Sequence, residues 1–527
     1  MNETRDRYWL DRLVEYFAPR AALRRAAARA ALTHYDVAKR GRLRKSHSDR
    51  ASPNDIVGSG APAARAEARN LERNHDIARG ILRSFVNNVA GSSGIGVEPQ
   101  PRRADGTIHR EYAKALADGW RDWCRNPEVT HRRTWAQTCR LEVRTWVRDG
   151  EGLAQMLYGR VPTLDHGTRV PFSLELIEPD LLPFDYDDAA KGIRQSIESN
   201  AWGRPRRYWL YRQHPGETTS LSQAYADMKW INAADMLHVA VIDRIGQGRG
   251  ISEFASIAGR LSDLKDYEES ERIAAKVAAS LTAYVKRGSP DMYQPAPTTV
   301  DANGQPSARE VSMRPGTIID TLQIGEEIGL IDSKRPNPGV LPFRQGQLRA
   351  VAAGAGASYS TIARDYDGTY SAQRQELVEQ WINYATLADE FVGMFVQPIF
   401  EKFVWVADMA GVIPTPPDVM PGTADDALFI AQSMPWIDPV REALGWEALV
   451  KAGFASEVEV MRKRGVNPWD VLEQIDQFRK DTKSRGLVFT SDAANEQKAA
   501  GAGAANAQAS SAPEPGRTRG SRSRAPS

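Results

Sequence analysis

The sequence predicts an α+β chain built from several sub-domains. Its 527 residues far exceed the ~150 residues of a typical domain. Two blocks with apolar residues at helical spacing, residues 63–90 and 112–149, come before a region of short strands over residues 154–241. Helical patterns then return at residues 251–286, 341–356 and 371–403. Strands grouped between helical regions favour the α+β class over an alternating α/β fold.

The charge of the chain is balanced overall but unevenly distributed. Lys and Arg total 69 against 67 Asp and Glu, which argues against a protein that grips nucleic acid through a strongly basic surface. Residues 1–50 nevertheless contain 13 Lys or Arg against 6 Asp or Glu. This basic arm either binds nucleic acid or an acidic partner, or is only a solvated helix. Residues 46–64 are rich in Ser, Pro, Gly and Asn and are interpreted as a linker.

The first long helix ends at a glycine-rich turn, Gly91-Ser-Ser-Gly-Ile-Gly96. A dinucleotide-binding fingerprint needs a strand before its glycines and a helix after them. Here the helix precedes the glycines, so they are interpreted as a helix C-terminus and turn. The second helical block carries Trp120, Trp123, Trp135 and Trp146, which we interpret as core residues and not as a base-stacking platform.

Strands are predicted at residues 154–158, 172–177, 207–212 and 236–241. The helix that follows them carries an acidic run, whose members are Asp263, Asp266, Glu268, Glu269 and Glu271. The most apolar later stretch, residues 391–413, contains Pro398, Glu401, Lys402 and Asp408. It falls short of the ~18 uncharged apolar residues of a membrane span and is predicted to be a core helix.

The chemistry of known catalytic motifs is missing from the sequence. There is no Gly-Lys dipeptide, no His followed by Glu and no Gly-x-Ser-x-Gly, which excludes a Walker A loop, an HExxH zinc site and a serine-nucleophile elbow. His214 and His238 are interpreted as structural. Cys124 and Cys139 are the only cysteines, which fits a reducing cytosol and excludes a disulfide framework. The sequence therefore predicts no enzyme, no cofactor and no metal site.

Short motifs in a specific order nevertheless resemble a known family, the lambda family of tailed-phage portal proteins. The likeness covers roughly residues 35–475. Its carriers are Ala68-Arg69-Asn-Leu-Glu-Arg-Asn74, Glu178-Pro-Asp180, His214-Pro215, Ala234-Asp235 with His238, Arg249-Gly-Ile-Ser252, Asp263-Leu-Lys-Asp-Tyr-Glu268, Arg314-Pro-Gly-Thr317, Asp365-Tyr366 with Tyr370-Ser371, and Asp438-Pro439. The chain departs from the pattern at Ala357-Ser358-Tyr359-Ser360, where a proline is usual, and at Thr369-Tyr-Ser-Ala372.

The resemblance implies a structural protein that assembles as a homo-oligomeric ring, typically of twelve copies, at one vertex of the capsid. Double-stranded DNA would pass through its channel, driven by a separate terminase motor. Major capsid or scaffold proteins and the head–tail connector would be its other partners. Such a protein is assembled in the bacterial host cytoplasm and ends up in the virion, without any membrane.

The resemblance also implies the multi-domain portal fold of wing, stem helices, clip and crown. By analogy, the basic arm and linker occupy residues 1–64, the wing 65–255, the first stem helix 256–287, the clip 288–340 and the second stem helix 341–357. A tunnel loop would follow at 358–370, a wing helix at 371–423, the crown at 424–490, and a disordered tail at 491–527. That tail has 24 Ala, Gly, Ser or Pro among its 37 residues.

Two groups of residues are the candidate channel surface. The acidic helix face, named above, would repel phosphate if it lines the lumen. In the tunnel loop, Tyr359, Arg364, Asp365, Tyr366 and Tyr370 would either touch DNA transiently or only pack the loop. Two other functions remain open at this point: a metal-dependent nucleic-acid-processing enzyme that uses the acidic cluster, and a DNA-binding protein that works through the basic arm.

Overall fold

The fold is taken from a computed structural model, which describes residues 51–217, 228–279, 338–435 and 438–487, together with the backbone of four short strands between residues 283 and 330. The basic arm at residues 1–50, most of the expected clip and the C-terminal tail lie outside the described residues.

The described helices and strands follow one another in this order. The α-helices are α1 Pro53–Asn74, α2 Asp76–Val89, α3 Arg110–Trp123, α4 Trp135–Asp149, α5 Ala258–Ala279, α6 Val340–Gly354, α7 Tyr359–Ala363, α8 Tyr370–Phe391, α9 Gln397–Met409, α10 Pro439–Lys451, α11 Glu457–Lys463 and α12 Pro468–Ser484. The strands are β1 Gly96–Pro99, β2 Glu151–Tyr158, β3 Phe172–Ile177, β4 Ile193–Arg194, β5 Ile197–Ser199, β6 Pro205–Tyr211, β7 Met228–Asn232, β8 Met236–Ala240, β9 Ala283–Arg287, β10 Thr299–Val300, β11 Pro306–Ser307, β12 Glu326–Leu330 and β13 Ala427–Ile430.

The linker predicted at residues 46–64 is wrong from Pro53 onward, because helix α1 begins there. The Ser52 side chain caps the helix by accepting from the Asp55 N–H, and a proline at the first helical position has no N–H to leave unsatisfied. Val57 and Ala61 of this segment are buried. Residues that suggested a linker by composition are therefore the capped start of a packed helix.

The single helix predicted over residues 63–90 is two helices, α1 and α2, separated at His75. This residue adopts an extended backbone, with φ −123° and ψ 116°, and its Nε2 lies 3.0 Å from the carbonyl oxygen of Leu261 on α5. A contact with a residue 186 positions away thus interrupts a helical pattern that is continuous in the sequence. The glycine turn after α2 is confirmed, with Gly91 and Gly94 at φ +69° and +74°.

The main hydrophobic core lies between α2, α3, α4 and the α8–α9 region. The four tryptophans predicted to be core residues are all buried. Trp120 stacks on Trp123 at a ring distance of 4.7 Å, and Trp123 stacks on Phe172 of β3 at 5.3 Å. These aromatic rings are the packing material of the core, so they are not available to stack on bases.

Two small antiparallel sheets lie on this helical layer. One has the order β3-β2-β8 and the other the order β4-β5-β6-β7. The four strands predicted from sequence correspond to β2, β3, β6 and β8, and the short strands β4, β5 and β7 were not predicted. A smaller cluster, with Ile197, Tyr208, Leu210 and Ile231 from the second sheet, forms its own core.

The helix predicted over residues 251–286 ends earlier, at Ala279. Residues Ala283–Arg287 instead form strand β9, which pairs antiparallel with Glu326–Leu330 of β12. The stem helix expected to reach residue 287 is therefore wrong at its C-terminal end. The reason is the composition of the segment, since Tyr284 and Val285 favour a strand when a partner is present.

The helix predicted over residues 371–403 is confirmed as a nearly continuous rod made of α8 and α9, with one irregular turn just before Pro398. Residues Val392–Val396 form a π-helical turn, in which the Gln397 N–H bonds to the Val392 carbonyl. Proline has no N–H to donate to the preceding turn, and the wider π turn absorbs that gap. No helix among the described residues is long and apolar enough to cross a membrane.

Helices α11 and α12 both bond to one buried carboxylate, Glu98 on β1. Its side chain accepts from Arg462 at 2.8 and 3.0 Å and from Trp469 Nε1 at 3.0 Å. Strand β1 also pairs antiparallel with β13. These contacts hold α11 and α12 against β1.

Candidate functional site

The acidic helix face predicted from sequence divides into an exposed part and a packed part. Asp263, Asp266 and Glu269 recur every three residues on α5 and are exposed, so they form one stripe along the helix. Leu261 and Leu264 lie on the opposite side and are buried. Three carboxylates thus point into solvent along one side of α5.

Glu268 lies on the packed side of α5 and is neutralised by helix α6. Its carboxylate accepts from Arg344 Nε at 2.6 Å, and the neighbouring Tyr267 ring lies 4.7 Å from the Phe343 ring. Glu271 is half-buried. The five acidic residues therefore do not act as one surface: three are exposed, and at least one serves the contact between α5 and α6.

The segment expected to be a tunnel loop at residues 358–370 is partly helical, which corrects that prediction. Ser358 caps the short helix α7 by accepting from the Thr361 N–H, and Tyr370 is already the first residue of α8. Arg364 ends α7 in the left-handed conformation at φ +55°, which is costly for a residue with a Cβ. Only residues 364–369 are irregular, because each end of the segment carries a good helix cap.

Three tyrosines and two arginines lie close together along this segment and the start of α8. Arg364 Nη1 lies 3.3 Å from Tyr366 Oη, and Arg374 Nη1 lies 3.4 Å from Tyr370 Oη. Tyr359 donates to Asp365 at 2.8 Å. Tyr366 and Tyr370 are about half exposed, whereas Tyr359 is half-buried, so the two former tyrosines are the ones that can meet a ligand.

A second polar site was not predicted: a buried ion-pair network between the two sheets and α1. We call it the Glu151 network. Its members come from segments far apart in the sequence and are Arg65, Arg69, Asp149, Glu151, Asp180, His238 and Arg249. Four of these residues stood in motifs that carried the family resemblance, which was the signal available. Their spacing gave no hint that they meet.

Glu151, at the start of β2, is the centre of this network and is fully buried. It accepts two hydrogen bonds from Arg249, at 2.7 and 2.9 Å, one from Arg65 at 2.9 Å, and one from the Gly250 N–H at 2.8 Å. Burial alone would raise the pKa of Glu151, but the Arg249 charge and the contact with His238 outweigh it and hold the pKa well below its usual range.

Arg249 is also fully buried and connects the two sheets. Besides Glu151, its guanidinium donates to the carbonyl groups of Leu182, Pro183 and Gln195, and it lies 3.8 Å from the centre of the Phe184 ring. A guanidinium with this many acceptors is well compensated for its loss of water. The network therefore fixes how the β3-β2-β8 sheet sits on the β4–β7 sheet.

Near the surface, the network ends at Glu178, Asp180 and His214, whose potential metal-ligand atoms lie within 4.8 Å of one another. Among the described residues this is the single such group, and it contains no member of the acidic helix. Arg65 donates to Asp180 at 2.9 Å, and Arg69 contacts both Asp180 and Glu178. Two guanidinium groups thus already supply the positive charge, which disfavours a metal cation here.

Comparison with known families gives a match over most of the chain. The family model described as "Phage portal protein, lambda family" matches residues 39–387. The "Probable portal protein" of Halomonas phage phiHAP-1 is 24% identical over 474 residues, which cover 86% of this chain and 87% of that protein. "Portal protein B" of Escherichia phage lambda is 21% identical over 466 residues, covering 80% of this chain and 84% of that protein.

Among solved structures, a chain of "Neck of native GTA particle computed with C12 symmetry" aligns with a TM-score of 0.43 at 12% identity, covering 76% of this chain and 94% of that one. A chain of "Virion of native gene transfer agent (GTA) particle" aligns with a TM-score of 0.39 at 12% identity, covering 78% and 99%.

Proposed function

Since this chain belongs to the lambda family of phage portal proteins, we propose that it forms the ring at one vertex of the capsid through which double-stranded DNA enters and leaves. The observation that carries this proposal is the family match over residues 39–387. We propose twelve subunits, with a terminase motor, capsid or scaffold proteins and a head–tail connector as partners. We further propose assembly in the host cytoplasm and a final place in the virion.

The expected domains remain part of the proposal, with boundaries adjusted to the helices. We assign the stem to α5 and α6, which pack on each other through Arg344 and Glu268. The wing comprises α1–α4, the two sheets and α8–α9, and the crown comprises α10–α12. Residues 288–337 between the stem helices are assigned to the clip.

We assign the exposed stripe of Asp263, Asp266 and Glu269 to the channel wall. A channel must let DNA slide, and every phosphate neutralised by a protein cation releases counterions and adds salt-dependent affinity. A wall of carboxylates avoids such binding. In a ring of identical subunits the stripe is repeated around the channel, so the repulsion acts from every side.

We assign the exposed groups after α7 to transient contact with the DNA backbone. Arg364, Tyr366 and Tyr370 offer a cation and two hydroxyl groups in one short segment. Phosphate contacts of this kind position a duplex without reading its sequence. Because each arginine here already bonds a tyrosine hydroxyl, contact with a phosphate exchanges one partner for another and remains brief.

The metal-dependent enzyme considered above has no support. The family is structural, and the carboxylates of α5 do not converge: Asp263 is exposed on one side of the helix, while Glu268 bonds Arg344 on the other. A two-metal site needs ligands that surround ions ~3.5–4 Å apart. We therefore propose no catalytic activity.

Electron microscopy of the purified full-length chain tests the proposed function. We expect hollow rings with a central channel wide enough for a DNA duplex. Rotational averaging gives the copy number. A compact monomer under all salt and concentration conditions contradicts the proposal.

Charge reversal of the exposed stripe tests the channel assignment. The triple variant Asp263→Lys, Asp266→Lys, Glu269→Lys is expected to retain duplex DNA at least about tenfold more tightly than wild-type rings at low salt, with an affinity that falls steeply as salt is added. Fluorescence anisotropy with a short labelled duplex measures this effect.

The matched control reverses three exposed carboxylates of α8 and α9, through Glu379→Lys, Asp389→Lys and Glu401→Lys. It makes the same change in net charge outside the proposed channel wall. Equal DNA retention by the two triple variants contradicts the assignment of the α5 stripe to the channel, because only net charge would then matter.

A further inference from the structure

The C-terminal helices α10, α11 and α12 expose large apolar side chains, among them Val440, Leu444, Leu472 and Ile475. No residue of α10 or α11 is buried, and in α12 only Pro468 is buried. Helices of 13, 7 and 17 residues are marginal on their own in water, because most helix stability in proteins comes from packing of an apolar face. A further packing surface is therefore expected.

Helix α12 is attached to the wing by its polar side. Glu473 pairs with Lys114 at 2.8 Å, Asp470 lies 3.4 Å from Arg121, and the Trp469 ring lies under the Arg110 guanidinium at 4.8 Å. These side chains point towards α3. A surface helix normally does the reverse and turns its apolar side inward.

The apolar side of α12 consequently points outward. Leu472 and Ile475 lie three residues apart, on the side of the helix opposite Asp470 and Glu473. Their exposed fractions are 53% and 40%. We call this pair the α12 stripe.

Helix α10 exposes a second apolar patch. Val440 and Leu444 are one helical turn apart and are 69% and 59% exposed. Trp446 and Leu449, on the other side of α10, line the cleft towards α8. The α10 patch therefore points away from the subunit's own wing, as the α12 stripe does.

The charges of this region favour a second copy of the same chain as the covering partner. Residues 438–487 contain nine acidic and nine basic residues, and many are paired locally: Arg441 with Asp438, Lys463 with Glu459, and Lys480 with Asp476. A surface without net charge does not repel an identical surface, and it offers nothing to DNA or to a strongly charged protein.

We propose that the α12 stripe of one subunit packs on the α10 patch of the next. This inference rests on the proposed ring, since a ring needs two different faces of each chain to meet. The α12 stripe and the α10 patch are two such faces, both apolar and both directed away from the wing. The C-terminal helices thus form a closed belt of helix pairs that ties neighbouring subunits together.

Thiol labelling tests this interface in assembled rings. Ile475→Cys is placed in a Cys124→Ser background, in which the remaining Cys139 is fully buried. Ile245→Cys is the reference for an exposed thiol, because Ile245 is fully exposed in the loop after β8. We expect Cys at 475 to react with a maleimide at least about tenfold more slowly in rings separated by size than in dissociated subunits, whereas Cys at 245 reacts at the same rate in both.

A chain truncated after residue 487 is expected to keep this protection. Equal labelling of Cys at 475 in rings and in dissociated subunits overturns the interface while leaving the proposed portal function standing. Loss of protection in the truncated chain shows that residues 488–527 cover the stripe, which also overturns it. Failure of the wild-type chain to form rings overturns the portal proposal itself, and this inference with it.

A charge placed in the stripe gives an independent measure. Ile475→Lys is expected to raise, by at least about tenfold, the subunit concentration below which rings dissociate. The reason is that a lysine would be desolvated at the centre of an apolar contact. Ile245→Lys introduces the same group at an exposed loop and is expected to leave dissociation unchanged. Equal dissociation of the two variants, measured by analytical ultracentrifugation, overturns the inference.

Discussion

Replacing Glu151 by alanine is expected to lower the free energy of unfolding by about 3–5 kcal/mol. The carboxylate holds two buried arginines: Arg249 would be left without the carboxylate that it pairs with, and Arg65 would keep only Asp180. Arg249 has no access to water that could replace the lost partner, since it is fully buried. Urea unfolding followed by the fluorescence of the core tryptophans measures the effect.

Glu175→Ala provides the control for this change. Glu175 lies on the neighbouring strand β3 and its carboxylate is 3.7 Å from Lys229, with both side chains about one third exposed. Surface pairs of this kind contribute about 0–1 kcal/mol, so we expect little loss of stability. A cost for Glu151→Ala no larger than that of the control contradicts a central role for the Glu151 network.

Replacing Glu142 by glutamine is expected to stabilise the protein by about 3 kcal/mol at pH 7. Glu142 on α4 is buried, and its Oε1 has no hydrogen-bond partner among the described residues. Burial raises the pKa of this carboxyl to about 8 from an ordinary value of 4.5. The folded state therefore keeps a proton that the unfolded chain has already released at neutral pH.

The direction of the pH dependence follows from this difference in bound protons. Below about pH 4.5 both states are protonated and Glu142 has no effect. As pH rises from 4.5 towards 8, the unfolded state ionises first and the wild-type protein loses stability, by up to about 1.4 kcal/mol per pH unit. The glutamine variant lacks this loss, so the two unfolding curves should coincide at pH 4 and separate above it.

Glu72→Gln is the control with the opposite sign. Although burial alone would raise the pKa of Glu72, the hydrogen bonds from Arg148 and Arg144 lower it, so its carboxylate stabilises the fold at neutral pH. Its removal should therefore destabilise the protein at pH 7. A Glu142→Gln variant that is destabilised at pH 7 in the same experiment contradicts the buried, protonated state of Glu142.

Local patterns in the sequence were sufficient to predict much of the fold. The helical spacing of Trp120, Trp123, Trp135 and Trp146 predicted their place in the core, and the helix that runs through residue 403 was recognised from its apolar positions. Four strands were also found by their composition. These elements carry their signal within a few turns of chain, which is the range over which periodicity can be recognised.

The parts that sequence reasoning missed depend on partners far along the chain. The break at His75 follows from its contact with Leu261, and the end of α5 follows from the pairing of β9 with β12. Strands of two or three residues, such as β4 and β5, are too short to show alternation. No local pattern can reveal a pairing that a distant segment imposes.

The acidic stripe and the Glu151 network also differ in how far apart their members lie in the sequence. The acidic stripe was predicted because its members lie on one helix, although which of the five carboxylates are exposed depended on α6. The Glu151 network was not predicted, because Arg69 and Asp180 are 111 positions apart and Arg249 and Glu151 are 98 apart. Its motif residues stood out in the sequence only as separate short resemblances.

The pairing of β1 with β13, and the bonds from Glu98 to Arg462 and Trp469, have a consequence for biosynthesis. Trp469 can bond to Glu98 only after 371 further residues have been synthesised. Contacts between segments so far apart in the sequence slow folding, because the loop must close before the contact can stabilise it. In a nascent chain, strand β1 therefore folds before α11 and α12 exist, and its Glu98 side chain obtains its two side-chain donors only after those helices have been synthesised.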